Sequence, residues 1–83
     1  MLQNQPNPFD AQTTIGFELP EASTAVLTVY DVTGKVIKQI NGDFAKGYNE
    51  VQLNKAELSA TGVLYYRLDA TEYTATRKMI VID

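Results

Sequence analysis

The sequence predicts an all-β domain, an immunoglobulin-like antiparallel β-sandwich of six to seven strands. Three observations predict it. Apolar and polar residues alternate over short runs rich in Val, Ile, Thr and Tyr, the period of a half-buried strand. Turn signals built on Gly, Pro, Asn and Asp punctuate the chain every 8–12 residues. No stretch carries a convincing helical period, so the economical way to bury the apolar faces is to pack two sheets against each other. Cysteine and tryptophan are absent, so the disulfide and core tryptophan of antibody domains do not carry over; the architecture alone does.

Residues 1–12 are polar and proline-bearing and predict an extended lead-in or linker to a domain spanning 13–83. Pro6 and Pro8 hold Gln5 and Asn7 in extended conformations. The first strand is expected at Thr13–Leu19, where Ile15, Phe17 and Leu19 alternate with Thr14, Gly16 and Glu18. Pro20 ends it, and Glu21 to Thr24 form a turn. The second strand, Ala25–Asp31, is apolar on both faces, as a central strand requires. Asp31-Val-Thr-Gly34 is a tight hairpin signal, because Asp bonds the turn backbone and Gly permits positive φ.

The third strand is expected at Lys35–Ile40. Its inward residues Ile37 and Ile40 are three apart, which breaks alternation and predicts a bulge. Asn41-Gly42-Asp43 and Lys46-Gly47 read as turns, with a short extra strand around Phe44 between them. A fourth strand follows at Tyr48–Leu53. Asn54 to Leu58 predicts one helical turn, with Asn54 as cap and Leu58 dropping into the core. Thr61-Gly62 opens a fifth strand, Val63–Asp69, and Ala70-Thr-Glu72 turns the chain into a sixth, Tyr73–Ile82.

Composition excludes more chemistry than it suggests. At 83 residues the chain is one domain, near the small end for folding unaided, and its 45% hydrophobic content suffices for a core. Without cysteine or histidine there is no disulfide, thiolate, usual metal ligand or near-neutral general base. Ser23 and Ser59, in expected loops, have nothing to activate them. Asp31, Asp43, Asp69 and Glu72 lie at turns, where backbone hydrogen bonding explains acidic residues. No run of closely spaced oxygen ligands suits calcium, and the glycines lack phosphate-loop spacing. No catalytic residue, cofactor or metal is expected. A net charge of −3 does not favour nucleic acid. The apolar runs fall far short of a bilayer span. Tyr30, Tyr48, Tyr65, Tyr66 and Tyr73 read first as core and cross-strand fillers, and second as a sugar-stacking platform. Tyr65 and Tyr66 are adjacent and must point to opposite faces. Arg77-Lys78, on the last strand, reads equally as edge protection and as a contact for a receptor.

Three blocks, in their order and gaps, resemble the C-terminal sorting domain (type A) of proteins exported by the type IX secretion system of Bacteroidota. The first is Leu2 to Phe9 with Thr13 to Pro20, opening on Pro6-Asn-Pro-Phe9. The second is Leu27 to Ile37, with Tyr30-Asp31 and Gly34 at its hairpin. The third runs from Gly62-Val-Leu-Tyr-Tyr-Arg-Leu68 to Thr76-Arg-Lys-Met-Ile-Val-Ile82, closing on a strand with no tail. The resemblance covers essentially the whole chain. Three departures are Asp10 where asparagine is frequent, Ala60-Thr61 for a common Ala/Ser-Ser pair, and Asp83 where lysine often ends the chain. The last changes the charge at the recognised end.

The resemblance implies a folded address label that performs no reaction. It would follow N-terminal cargo domains as a monomer, be read in the periplasm by the type IX translocon, and carry the cargo to the outer-membrane surface or beyond. A sortase-like cysteine protease commonly removes such a domain and joins the cargo to a surface anchor. It implies structural roles for Pro6, Asn7, Pro8, Phe9, Tyr30, Asp31, Gly34, Gly62, Tyr66 and Arg67. Receptor contact falls to Arg77, Lys78, Met79, Ile80, Val81, Ile82 and Asp83, through edge pairing and side chains of the last strand. An immunoglobulin-like spacer or adhesion module and a carbohydrate-binding module are the alternatives.

Overall fold

Two antiparallel sheets pack face to face in the computed structural model, which describes residues 1–71 and 73–82. The elements are six strands, β1 (Gln12–Leu19), β2 (Ser23–Asp31), β3 (Val36–Phe44), β4 (Gly47–Asn54), β5 (Gly62–Ala70) and β6 (Tyr73–Val81), and one helical turn between β4 and β5, α1 (Lys55–Leu58). One sheet pairs β1 with β4; the other has the order β3-β2-β5-β6. The immunoglobulin-like sandwich expected from alternation is therefore the observed architecture. The expected turn residue Glu72 and the terminal Asp83 lie outside the described residues.

The alternation fills the space between the sheets. Ile15, Phe17 and Leu19 from β1 meet Leu27 and Val29 from β2, Leu64, Tyr66 and Leu68 from β5, and Met79 and Val81 from β6, all buried. Leu58 drops into this core from α1 as expected. The N–H of Asn54 donates to the Glu57 carboxylate, and Ser59, at φ 50°, closes the turn through its N–H to Lys55 O. The Lys38 ammonium bonds Glu57 at 2.7 Å and holds its carboxyl below the usual range.

The third strand needs correction. Asn41-Gly42-Asp43 is not a turn, and Phe44 starts no separate strand; β3 runs through all four, with Gly42 opposite Ala25 and Phe44 opposite Ser23. Glycine serves here as space. A Cβ on Gly42 would sit 3.2 Å from the Phe44 ring, which packs edge-on against Phe17 at 5.1 Å. The expected bulge is present: Val29 pairs with Lys38 and Tyr30 with Val36, leaving Ile37 as the extra residue.

The first nine residues join both sheets. Gln5 exchanges both backbone hydrogen bonds with Thr14 of β1, and Leu2 N–H donates to Gly16 O. The chain then crosses through Pro6-Asn-Pro8, both X-Pro bonds being cis. Phe9 buries its ring in the core and lies parallel to the end of β6. The segment thus straps the open side of the sandwich.

Candidate functional site

Alternation along β6 decides what its terminal half can present. By register with β5, Met79 pairs with the inward Leu64 and Val81 with Gly62, whereas Lys78 and Ile80 pair with the outward Tyr65 and Val63. Met79 and Val81 are fully buried, so nothing can touch them without opening the core. Arg77 shares their side but lies exposed at the margin, where its Nε donates to Met1 O at 2.8 Å. Lys78, Ile80 and Ile82 remain on the solvent side. Asp83 falls outside the described residues.

The outer edge of β6 near its end is already occupied. Phe9 N–H donates to Ile80 O at 3.1 Å, and Ile82 N–H donates to Phe9 O at 2.9 Å. Ile80 N–H donates to Asn7 Oδ1 at 2.9 Å, and Gln3 Nε2 donates to Lys78 O at 2.7 Å. A sheet edge left open invites strand addition; between Lys78 and Ile82 this one is covered by the domain's own first residues. Edge pairing there requires the strap to leave first.

The strap is anchored on Tyr66. Its buried hydroxyl accepts from Asn4 N–H at 2.9 Å and donates to Leu2 O at 3.0 Å. Burial pushes the phenol pKa above its ordinary value, with the Asn4 N–H bond and the Arg77 charge opposing. Asn4, fully buried, gives its amide to Pro6 O and to Thr13 Oγ1, and Thr13 in turn donates to Pro6 O. Buried polar groups persist when paired in this way.

The other motif residues set the surroundings of β6. Asp31 shapes the β2–β3 hairpin: its Oδ1 accepts from Thr33 N–H, Thr33 Oγ1 and Lys35 N–H. The Thr33 hydroxyl bond is the chief cause that holds its carboxyl below the ordinary value. Gly34, at φ 89°, and Gly62, at φ 91°, take conformations that side-chain-bearing residues rarely adopt. Tyr30 and Arg67 face outward on neighbouring strands. The Tyr30 ring stacks on Tyr65 at 5.6 Å, the Arg67 guanidinium lies 5.9 Å from the Tyr30 ring centre, and Arg67 Nε bonds Asp69 at 2.9 Å.

The alternation of Tyr65 with Tyr66 sets the two on opposite faces, and the β2–β5 and β5–β6 registers add that Tyr65 joins Tyr30 and Lys78 on one outer row. Asn4 and Thr13, which form a buried knot under the strap, carry no local signal in the sequence.

Among the described residues, no group of three or more His, Cys, Asp or Glu could hold a metal ion, and no helix is long and apolar enough to cross a membrane. The distinguishing part of this small sandwich is β6, clamped in fixed register between β5 and the domain's own first residues, as in a domain that presents one ordered surface for recognition. Residues 5–82 match the family described as the secretion system C-terminal sorting domain, and the chain belongs to it. It is a non-catalytic sorting signal for secretion through the type IX system, which engages the secretion machinery and takes its protein through the periplasm to the outer-membrane surface or medium. Comparison with curated proteins and with solved structures gave no match.

Proposed function

We propose that this domain directs N-terminal cargo domains to the type IX translocon as a monomer, that the translocon reads the outward residues of the terminal strand, and that a sortase-like cysteine protease then removes the domain in exchange for a surface anchor. The observation that carries this reading is the family match over residues 5–82, together with a terminal strand held in fixed register between β5 and the strap. A signal read at a strand benefits from such order, because the side chains are presented without an ordering cost at binding. Of the residues expected to meet the receptor, Lys78, Ile80 and Ile82 are available. Arg77 flanks them, while Met79 and Val81 hold the strand in place from below. The split into a lead-in over 1–12 and a domain over 13–83 concerns the same segment, whose residues 2–9 serve as the strap.

Ile82→Asp in an exported reporter tests the reading. The Ile82 side chain is exposed and lies outside the core, so the melting temperature should stay unchanged while export falls. Undiminished export of the variant would mean that the outward residues at the end of the strand are not what is read. The mass of the released reporter reports the cut: loss of the whole domain is expected, and a retained domain would remove the protease from the account.

A further inference from the structure

Three ways exist to read a terminal strand: along its edge, from its inner face, or from its outer face. The edge from Lys78 to Ile82 is held by Gln3, Asn7 and Phe9, and the inner face is core. We infer that the outer face at this end of the four-stranded sheet is a docking surface, built from Val36, Tyr30, Tyr65, Val63, Ile80 and Ile82 and flanked by Lys78, for a protein surface with an apolar centre and a carboxylate rim. This rests on the sorting reading above and names the part of the domain that the secretion machinery holds.

The register assembles it. Val36, Tyr30, Tyr65 and Lys78 form one row across all four strands, and Val63 with Ile80 begins the next. The apolar members are unusually open for a small sandwich: Val36 is 52% exposed, Ile82 45% and Val63 38%, with Val32 at 68% on the adjoining hairpin tip. An apolar cluster in one place, unlike scattered single residues, marks an interaction site. Stacked tyrosines suit it, since they offer contact area at low entropic cost.

Charge selects the occupant. The chain carries −3 overall, yet at the β6 side of this face the exposed charge is the cation Lys78. Lys78 is exposed with no ion pair among the described residues, and Lys35 stands at the hairpin. The nearby Asp31 carboxylate stays charged and is held within its own turn, where it offsets Lys35 and leaves Lys78 as the cation without a partner among the described residues. The outer face of the other sheet is the opposite case, with exposed Glu18 and Glu50. A carboxylate-rimmed partner is attracted to the first face and repelled by the second.

The test places the whole domain behind a periplasm-targeted fluorescent protein in a type IX-competent host and measures surface fluorescence. Val36→Asp and Lys78→Glu alter the proposed face through exposed side chains; Gln52→Asp adds the same negative charge as Val36→Asp at an exposed position on the opposite sheet. Export should fall about tenfold or more for the first two and stay within about twofold for the third. Thermal unfolding of the purified variants should remain close to wild type, which separates recognition from folding. Full export of both Val36→Asp and Lys78→Glu would overturn the inference while leaving the sorting reading intact. Equal loss with Gln52→Asp would overturn it too, because the face would not be special. A wild-type fusion that stays in the periplasm would refute the sorting reading itself. Sedimentation of the isolated domain closes the remaining route: a dimer dissociated by Lys78→Glu would make the occupant a second copy, joined through its acidic face, and would also overturn the assignment.

Discussion

Replacing Tyr66 by Phe removes one oxygen and unfastens the strap. The hydroxyl holds Asn4 N–H at 2.9 Å and Leu2 O at 3.0 Å. Leu2 is more than half exposed, so its carbonyl can find water, and that loss costs about 0.5–1 kcal/mol. Asn4 is fully buried, so its N–H is left unpaired at about 1–3 kcal/mol. The sum is roughly 1.5–4 kcal/mol, against a total stability on the order of 4–12 kcal/mol for 83 residues. At about 4–8 °C per kcal/mol for a domain of this size, Tm should fall by roughly 6–30 °C. Tyr65→Phe is the matched control, since that ring stacks on Tyr30 through its face and not its hydroxyl. Differential scanning calorimetry reads Tm, and amide exchange reads the strap, where Leu2 and Gln5 should lose protection before the β2–β5 core does. A Tm change for Tyr66→Phe no larger than for Tyr65→Phe would refute the anchoring role.

Other outcomes follow from the same geometry. Because the folded pKa of Tyr66 is raised above its ordinary value, its contribution to stability is complete below about pH 10 and lost as pH rises through the folded value; urea midpoints measured from pH 8 to 12 should fall only on the alkaline side, and less so in Tyr66→Phe. Asp31, whose folded pKa is lowered, works the other way: its contribution is present above the ordinary carboxyl value and is lost as pH falls through the folded one, so Asp31→Asn should flatten the acid limb of the stability profile. Phe9→Ala empties a fully buried site at about 3–5 kcal/mol, a large share of the total stability, and should lower the urea denaturation midpoint in proportion. Gly62→Val should cost about 1–3 kcal/mol, with a Tm drop as the readout; an added Cβ there meets nothing within 4 Å, so the cost comes from the φ of 91° alone, and an unchanged Tm would contradict that.

The strands β1, β2 and β5 were legible because each buries one face against a single partner sheet, so the period of two is written into the chain. The end of β3 was not, because Asn41-Gly42-Asp43 has turn chemistry and only the Phe44 ring above Gly42 explains its place in a strand. The strap was legible as extended but not as docked. Its partners are distant in sequence: Asn4 meets Tyr66 across 62 positions and Asn7 meets Ile80 across 73. Polar residues in a proline-bearing stretch look solvated until such a partner is found, and Asn4 and Thr13 can be buried because they bond each other and the Pro6 carbonyl. The sequence reads the candidate site as a segment, Arg77 to Asp83; the register turns it into a surface, bringing Tyr65 beside Lys78, setting Val36 in the same row at the far edge of the sheet, and withdrawing Met79 and Val81. For the same reason, deletion of Ile80–Asp83 is a blunter test than a surface substitution. It removes Val81 from the core and both backbone partners of Phe9 along with any receptor contact.

The most direct test of the central claim is surface display. Residues 2–83 fused behind a periplasm-targeted fluorescent protein should bring fluorescence to the surface or medium of a type IX-competent host and leave it in the periplasm of the translocon-null sibling. Equal distribution in the two hosts, whether both inside or both outside, would contradict the account.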